Sequence, residues 1–403
     1  VGGYPVEVIS GYKAVATQGE FDALTPGNAG GKTVLIREAA GLTATSAWNN
    51  GGNFAWATLL GDGPDRRGQA YNPSIDARAH IVSFGPVNIK RLILDGLLVG
   101  TGSDVGAYVN GINLSFSGGG NTVEDIQVWR CTVIASRPGA FADYSGGVAS
   151  FPGAEGIRIS GNCHRCGVYD CVVIGASAAA GAITVDADDW AEAIGNRIDL
   201  YYSDGLRVST DGALLTGGSL ISRALASGSD TGNPHSDPQQ HLGGKGTIEA
   251  SAYIQGDARG APQSLFINDG AAEIVTRDLL IIDAGIYQLT NTILSGSVAE
   301  NCIWLPRFDE TLPIVGTMGG VRFGSISATG VNALRNSVFR SASSVIDGSV
   351  TLTGNVNSST WTASDYTAAF PAWQHDVANI PSLAHALTVI AQPASGGAAA
   401  GKG

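Results

Sequence analysis

The segment from Gly232 to Lys245 holds the residue types that acid–base chemistry needs, in the order Asn233, Pro234, His235, Ser236, Asp237, Pro238, Gln239, Gln240 and His241. Gln239 and His241 stand where neighbouring stretches place Ile or Leu, and a polar group turned toward a core is costly unless it is bonded. Aligning the earlier Ser203-Asp204-Gly205 with Ser236-Asp237-Pro238 stacks Asp204 beside Asp237. Like charges at that range disfavour double ionisation, so the pair divides into an acid and a base. Arg207, Arg158 and Lys245 offer cations to an acidic ligand, Gln240 offers an amide, and Asp186, in the column of Thr184, widens the carboxylate cluster. Two reactions fit these types. Hydrolysis of a glycosidic bond takes two carboxyl groups about 5 to 9.5 Å apart, the arrangement expected of Asp204 and Asp237. Elimination from a uronic acid takes a base at the carbon α to the carboxylate and a cation on that carboxylate, the arrangement expected of His235 or His241 with Arg207. A plainer reading stands beside both: an Asp before a strand is commonly a turn residue that bonds nearby backbone, and an Arg on a strand face is commonly solvated.

Positioning such residues falls to a repeat. Gly111-Ile-Asn-Leu-Ser, Gly156-Ile-Arg-Ile-Ser, Ala182-Ile-Thr-Val-Asp and Gly205-Leu-Arg-Val-Ser share one pattern, a small residue followed by alternating apolar positions. A period of two puts Ile112, Leu114, Ile157, Ile159, Ile183, Val185, Leu206 and Val208 on one face, and Asn113, Arg158, Thr184 and Arg207 on the other. The last three starts lie about 20 to 26 residues apart, one coil of a solenoid. A second string follows in each coil, with Cys131, Cys171, Asn196, Asn291 and Asn336 in equivalent places, which predicts a ladder of like side chains at about 4.8 Å spacing. The fold class is therefore all-β, a single-stranded right-handed parallel β-helix. Residues 1–80 form an N-terminal cap, with a helix near Phe21 and a side loop from Trp48 to Asn72. Residues 81–354 form the helix of strands. Residues 355–403, with Trp361, Tyr366, Phe370 and Trp373, form a C-terminal cap or oligomer contact that ends in a flexible Gly/Ala tail.

Composition agrees and narrows the partners. Gly is 57 of 403 residues and charged residues are 14%, which does not describe an ordinary helical enzyme. Lys+Arg 23 against Asp+Glu 35 gives a net charge of −12, which argues against nucleic acid or an anionic membrane as the main partner. No stretch reaches about 18 consecutive apolar residues, so no membrane insertion is expected. The start VGGYPVEVIS lacks the basic and apolar regions of a signal peptide. The sole methionine is Met318, and Val1 is expected to be the residue left after removal either of an initiator Met or of a longer leader. Five cysteines, Cys131, Cys163, Cys166, Cys171 and Cys302, are expected to be free and mostly buried. Cys163-His164-Arg165-Cys166 has metal-like spacing, but Cys171 belongs to the repeat, so no metal or cofactor is expected. The Gly-rich stretches at Gly30 and Gly118 lack the spacing of a phosphate loop.

The string Asn233-Pro-His-Ser-Asp-Pro-Gln-Gln resembles the His-Ser-Asp-Gly-Ile-Gln string of right-handed β-helix proteins, which include polysaccharide lyases, related hydrolases and bacteriophage tailspikes. Asn233, Pro234, His235, Ser236, Asp237 and Gln240 match it, while Pro238 replaces Gly and Gln239 replaces the apolar residue. The coil pattern behind the likeness covers roughly residues 80 to 350. The resemblance implies a hydrolase or lyase acting on a bacterial surface or extracellular polysaccharide, in an extracellular or virion-associated setting. Tyr201, Tyr202, Phe266 and Tyr287 would then stack on sugar rings. It equally admits a non-catalytic receptor-binding or structural spike of a phage, with homotrimer formation and phage tail proteins as partners.

Overall fold

The computed structural model describes residues 12–37, 42–43, 52–61, 81–83, 89–100, 110–115, 122–135, 155–161, 163–176, 181–201, 204–224, 237–254, 265–268, 273–283, 291–292, 296–306, 322–323, 332–339, 350–358, 360–372 and 380–401. The chain winds through three parallel sheets, here called A, B and C, of 14, 12 and 8 strands. Each coil gives a strand to C, then A, then B: Ile183–Ala187, Trp190–Ile194 and Arg197–Tyr201 make one coil, and Leu206–Thr210, Ala213–Gly217 and Leu220–Ala224 make the next. This is a parallel β-helix.

Alternation dictates the winding. Ile112, Leu114, Ile157, Ile159, Ile183, Val185, Leu206 and Val208 are all buried and stack in register through sheet C. Each such side chain withdrawn from water contributes about 1.5–3 kcal/mol, and stacking its copies leaves no gap between coils. The sharp corner from A to B is a column of left-handed residues: Gly96, Arg130, Asp170, Gly195, Gly218, Ala250, Asp278, Asn301, Asn336 and Gly354. Non-glycine residues pay a steric penalty there, and the strand pairing on both sides holds them to it.

The residue after the corner turns inward; it is apolar at Leu97 and Leu279, and where it is polar it bonds its neighbour. The Cys171 N–H donates to Asn196 Oδ1 at 3.0 Å, and Asn196 Nδ2 donates to the Val168 carbonyl at 3.0 Å. The Cys302 N–H donates to Ser337 Oγ and the Ser337 N–H to Asn355 Oδ1, at 3.0 and 2.9 Å. The expected ladder thus runs through Cys131, Cys171 and Asn196 and continues with Ser219, Ser251, Cys302, Ser337 and Asn355. Two assigned members differ. Asn336 occupies the left-handed corner itself, with Ser337 as the inward residue, and Asn291 lies in a sheet C strand.

A second left-handed column bends sheet A in its lower half. Trp56, Arg91, Asp125 and Arg165 all have positive φ. Strand register places the last three side by side, since Lys90 pairs with Glu124, Leu92 with Ile126, and His164 with Glu124. Trp56 enters through a bulge in Gly52–Gly61, where pairing shifts between Asn53 and Ala57. The side loop expected at 48–72 is therefore in part a strand of sheet A, because the bulge hides its alternation.

Both ends depart from expectation. The helices Gln18–Asp22 and Pro26–Ala29, each with a capping box, lead into Thr33–Ile36, but Tyr12–Val15 precedes them and pairs with that strand. At the other end, Tyr366, Phe370, Ile380, Ala386 and Ile390 cluster with Leu220, Ala252, Leu280, Ile303 and Val338. The C-terminal segment thus lies along the outer face of sheet B. Ahead of its Gly/Ala end the Ala394 N–H donates to the Ala369 carbonyl at 2.8 Å, and within that end Ala399 is buried. Among the described residues no helix is long and apolar enough to cross a membrane.

Candidate functional site

Register brings four of the expected residues onto the outer face of sheet C. Arg158 pairs with Thr184, Thr184 with Arg207, and Arg207 with Gln240. The two arginines are therefore two coils apart, about 9.6 Å at the spacing of parallel strands, with Thr184 between them. Asp186 lies one outward position farther along the Thr184 strand. It is exposed, and its carboxyl feels both guanidinium groups. Partial screening from water raises the proton affinity of Asp186, opposed by a hydrogen bond from Ser209 and by Arg207. Arg158 Nε donates to Ser160 Oγ at 3.0 Å, which orients that guanidinium on the same face.

Asp204 and Asp237 do stack in adjacent coils, but inside the wall. Asp237 is fully buried and Asp204 is 4% exposed. The Asp204 carboxylate accepts the Asp237 backbone N–H at 3.3 Å, and the Asp237 carbonyl accepts the Gly205 N–H at 2.8 Å. This is the turn role, so the pair does not flank an open cleft as two-carboxylate hydrolysis requires.

His241 is likewise not a surface base. It and Gln239 point into the core, in register with Val208 and Leu206 before and with Ile267 and Leu265 after. The Tyr253 hydroxyl donates to Gln239 Oε1, and Gln239 Nε2 donates to Thr216 Oγ1 at 2.8 Å and to His241 Nε2. Groups from C, A and B are thus tied across the core, which meets part of the cost of burying them, while His241 Nδ1 stays buried with no hydrogen-bond partner. Burial pushes the His241 imidazole down to about 3, so it is neutral.

The remaining expected residues lie elsewhere. Lys245 follows the left-handed pair Gly243 and Gly244, which carry the chain onto sheet A, where its ammonium pairs with Glu273 at 2.8 Å. It does not join Arg207. Tyr201 is fully buried in the core and offers no ring to a ligand. Phe266 pairs in register with Gln240. His235, Tyr202 and Tyr287 lie outside the described residues. Cys163 and Cys166 form a disulfide rather than free thiols, while Cys131, Cys171 and Cys302 are free and buried. Among the described residues no group of three or more His, Cys, Asp and Glu side chains is placed to hold a metal ion.

Sequence reading missed a second assembly, on the bent part of sheet A. Trp56, Asp125, Gln127, Arg165, Tyr169, Trp190 and Glu192 lie around a hollow of about 460 Å³. Its ion pairs form a ladder along the bend. Arg165 Nε donates to Asp125 Oδ1 and its Nη2 to Glu124 Oε1, both at 2.6 Å, and Lys90 Nζ donates to Glu124 Oε2 at 2.8 Å. The Lys90 hydrogen bond holds the Glu124 carboxyl below the usual carboxylate range. The signal that could have found this site is the density of Trp and acidic residues at 124–129 and 188–192.

No protein family matches the chain. No curated protein matches it either. Among solved structures it is similar to the catalytic unit of a thermostable GH87 alpha-1,3-glucanase from Streptomyces thermodiastaticus, with 12% identity over 86% of this chain and 69% of that one and a TM-score of 0.42. A mutant tailspike protein of an E. coli bacteriophage in complex with a pentasaccharide has 11% identity over 84% and 67% of the two chains, with a TM-score of 0.30. A mannuronic acid specific polysaccharide family 6 lyase from human gut microbiota has 10% identity over 87% and 83%, with a TM-score of 0.28.

Proposed function

We propose that the chain binds an acidic polysaccharide along the outer face of sheet C and cleaves it by elimination. The carrying observation is the column Arg158, Thr184, Arg207 with Asp186 beside it. Two guanidiniums two coils apart on a chain of net charge −12 form a local cationic strip that suits successive carboxylated sugars. In this reading Arg207 holds the uronate carboxylate, and Asp186 takes the proton from the carbon α to it. The electron pair left behind forms the new double bond, and the glycosidic oxygen departs with a proton from water. A carboxyl of raised proton affinity is matched to that transfer. Hydrolysis by Asp204 and Asp237 is the weaker route, because both are enclosed and Asp204 is engaged with backbone.

The second reading is a non-catalytic receptor-binding spike, in which the same strip only adheres. It draws support from the burial of Asp204, Asp237 and His241. Homotrimer formation and an extracellular or virion-associated setting go with either reading.

Incubation with polygalacturonate, alginate and acidic capsular polysaccharides separates these routes. Elimination gives new reducing ends together with ultraviolet absorbance of an unsaturated uronate, hydrolysis gives the reducing ends alone, and the spike gives binding with neither. Asp186→Asn is expected to lower turnover by about a hundredfold with binding retained. Arg207→Ala is expected to weaken binding by roughly 1.5–3 kcal/mol, the worth of a charge-assisted hydrogen bond. Wild-type turnover in Asp186→Asn removes that residue from the mechanism.

A further inference from the structure

Trp190 is 42% exposed, one of three large apolar side chains this open among the described residues. It is nevertheless fixed. Its indole N–H donates to Glu192 Oε1 at 2.9 Å, so the polar atom is satisfied and a flat apolar ring is left facing outward. Next to it, Tyr169 lies over Gly167, whose missing side chain leaves the space the ring fills. The Tyr169 hydroxyl donates to Glu192 Oε2 at 2.5 Å. Burial and this bond keep the phenol protonated. Trp129 stacks on the other side of Tyr169, with ring centroids 4.1 Å apart and planes at 16°, and its indole N–H is tied to Gln127 Oε1 at 2.9 Å. Three aromatic rings from three successive coils are thus locked in orientation before any ligand arrives, which lowers the entropy lost on binding.

Trp56 reaches the same hollow from the bulge, with a φ of 65°. A bulky residue in that region is strained, and strain of this kind is maintained where it re-aims a side chain. The hollow is acidic, with Asp125, Asp189 and Glu192 against the single guanidinium of Arg165. A polyanion is repelled. The carboxylates and Gln127 instead offer acceptors, and the rings offer stacking, to a ligand with many hydroxyls and an apolar C–H face.

We infer that the bent part of sheet A is a second carbohydrate site, for an uncharged glycan, chemically distinct from the cationic strip on sheet C. Trp190 stacks on a pyranose ring, and Tyr169, backed by Trp129, fixes the wall beside it. Glu192, 2% exposed and bonded by two donors, holds Trp190 and Tyr169 in place, while Asp189 and Gln127 accept from sugar hydroxyls. A volume of about 460 Å³ suits a pocket for a small number of sugar rings. The site stands on its own residues and does not depend on the reading given to Arg158, Asp186 and Arg207.

The test is isothermal titration with uncharged hexasaccharides, namely cellohexaose, laminarihexaose, maltohexaose and chitohexaose, alongside polygalacturonate. At least one hexasaccharide is expected to bind and to shift tryptophan fluorescence. Trp190→Ala is expected to weaken that binding about tenfold or more, with Trp190→Phe recovering most of it. Gly167→Ala, which displaces the Tyr169 ring, is expected to weaken it similarly. The double variant Arg158→Ala/Arg207→Ala is expected to leave it unchanged while losing polygalacturonate. Far-ultraviolet circular dichroism checks folding, and the exposed Trp190 carries the test if Gly167→Ala does not fold. Absence of binding by all four hexasaccharides, or wild-type affinity in Trp190→Ala, overturns the site. Loss only in the arginine double variant overturns it as well, because all binding then belongs to sheet C.

Discussion

Asn196→Ala is expected to destabilise the coils around it by about 2–4 kcal/mol. The side chain is buried and carries two bonds of opposite sense, accepting from the Cys171 N–H and donating to the Val168 carbonyl. Alanine leaves the Cys171 N–H dry and unpaired, at roughly 1–3 kcal/mol, and removes the amide's bond to a Val168 carbonyl that also accepts the Ile194 N–H of the paired strand, at about 1 kcal/mol more. Asn196→Ser supplies a sharper comparison. Serine already serves this position at Ser251 and Ser337, where its oxygen accepts the N–H of the preceding coil. It would keep the Cys171 bond and lose only the one to Val168, so a loss of about 1 kcal/mol is expected. Urea unfolding gives the size of the effect, and amide exchange at Cys171 gives its location. A loss below about 1 kcal/mol in Asn196→Ala would mean that the ladder contributes little.

The second large effect concerns acid. His241 is neutral in the folded chain, with its imidazole pushed down to about 3 by burial, against about 6.5 in an unfolded chain. Between those values the unfolded state binds the proton and the folded state does not. Stability from this residue is therefore fully present above about pH 6.5 and is lost as the pH falls toward 3, by about 1.4 kcal/mol per pH unit. The hydrogen-bond pattern reinforces the sign, because Gln239 Nε2 donates to His241 Nε2, and a proton there would face a donor. Glu124 has its carboxyl lowered from an ordinary 4.5, so its contribution is lost only below that. The window from pH 6.5 to 5 thus belongs to His241. Urea midpoints are expected to drop through that window in the wild type and to stay level in Gln239→Leu/His241→Val, which restores the residue types of the neighbouring coils. A level wild-type midpoint would show that the imidazole reaches solvent.

Sheet C was legible because its strands alternate cleanly. Arg158, Thr184, Arg207 and Gln240 follow from a period of two, and Gln239 and His241 announce themselves by breaking it. Which way the break resolves was not legible, since Thr216 and Tyr253, which bond Gln239, come from other sheets and distant positions. Lys245 was misplaced because the Gly243–Gly244 corner moves the chain to another sheet within three residues of His241. The hollow on sheet A was invisible for a related reason. Its bend uses Trp56, Arg91, Asp125 and Arg165 in a conformation that ordinarily advertises itself with glycine.

The C-terminal segment gives the stack a property that coils alone lack. In a solenoid each coil holds only its neighbours, so an end can fray one turn at a time. Here Tyr366, Phe370, Ala386 and Ile390 lean on strands from Leu220 to Val338 at once. Peeling any one of those coils loosens the strap over the rest, so this half of the rod yields as a block, and a protease meets a closed flank where it would otherwise find a loose end.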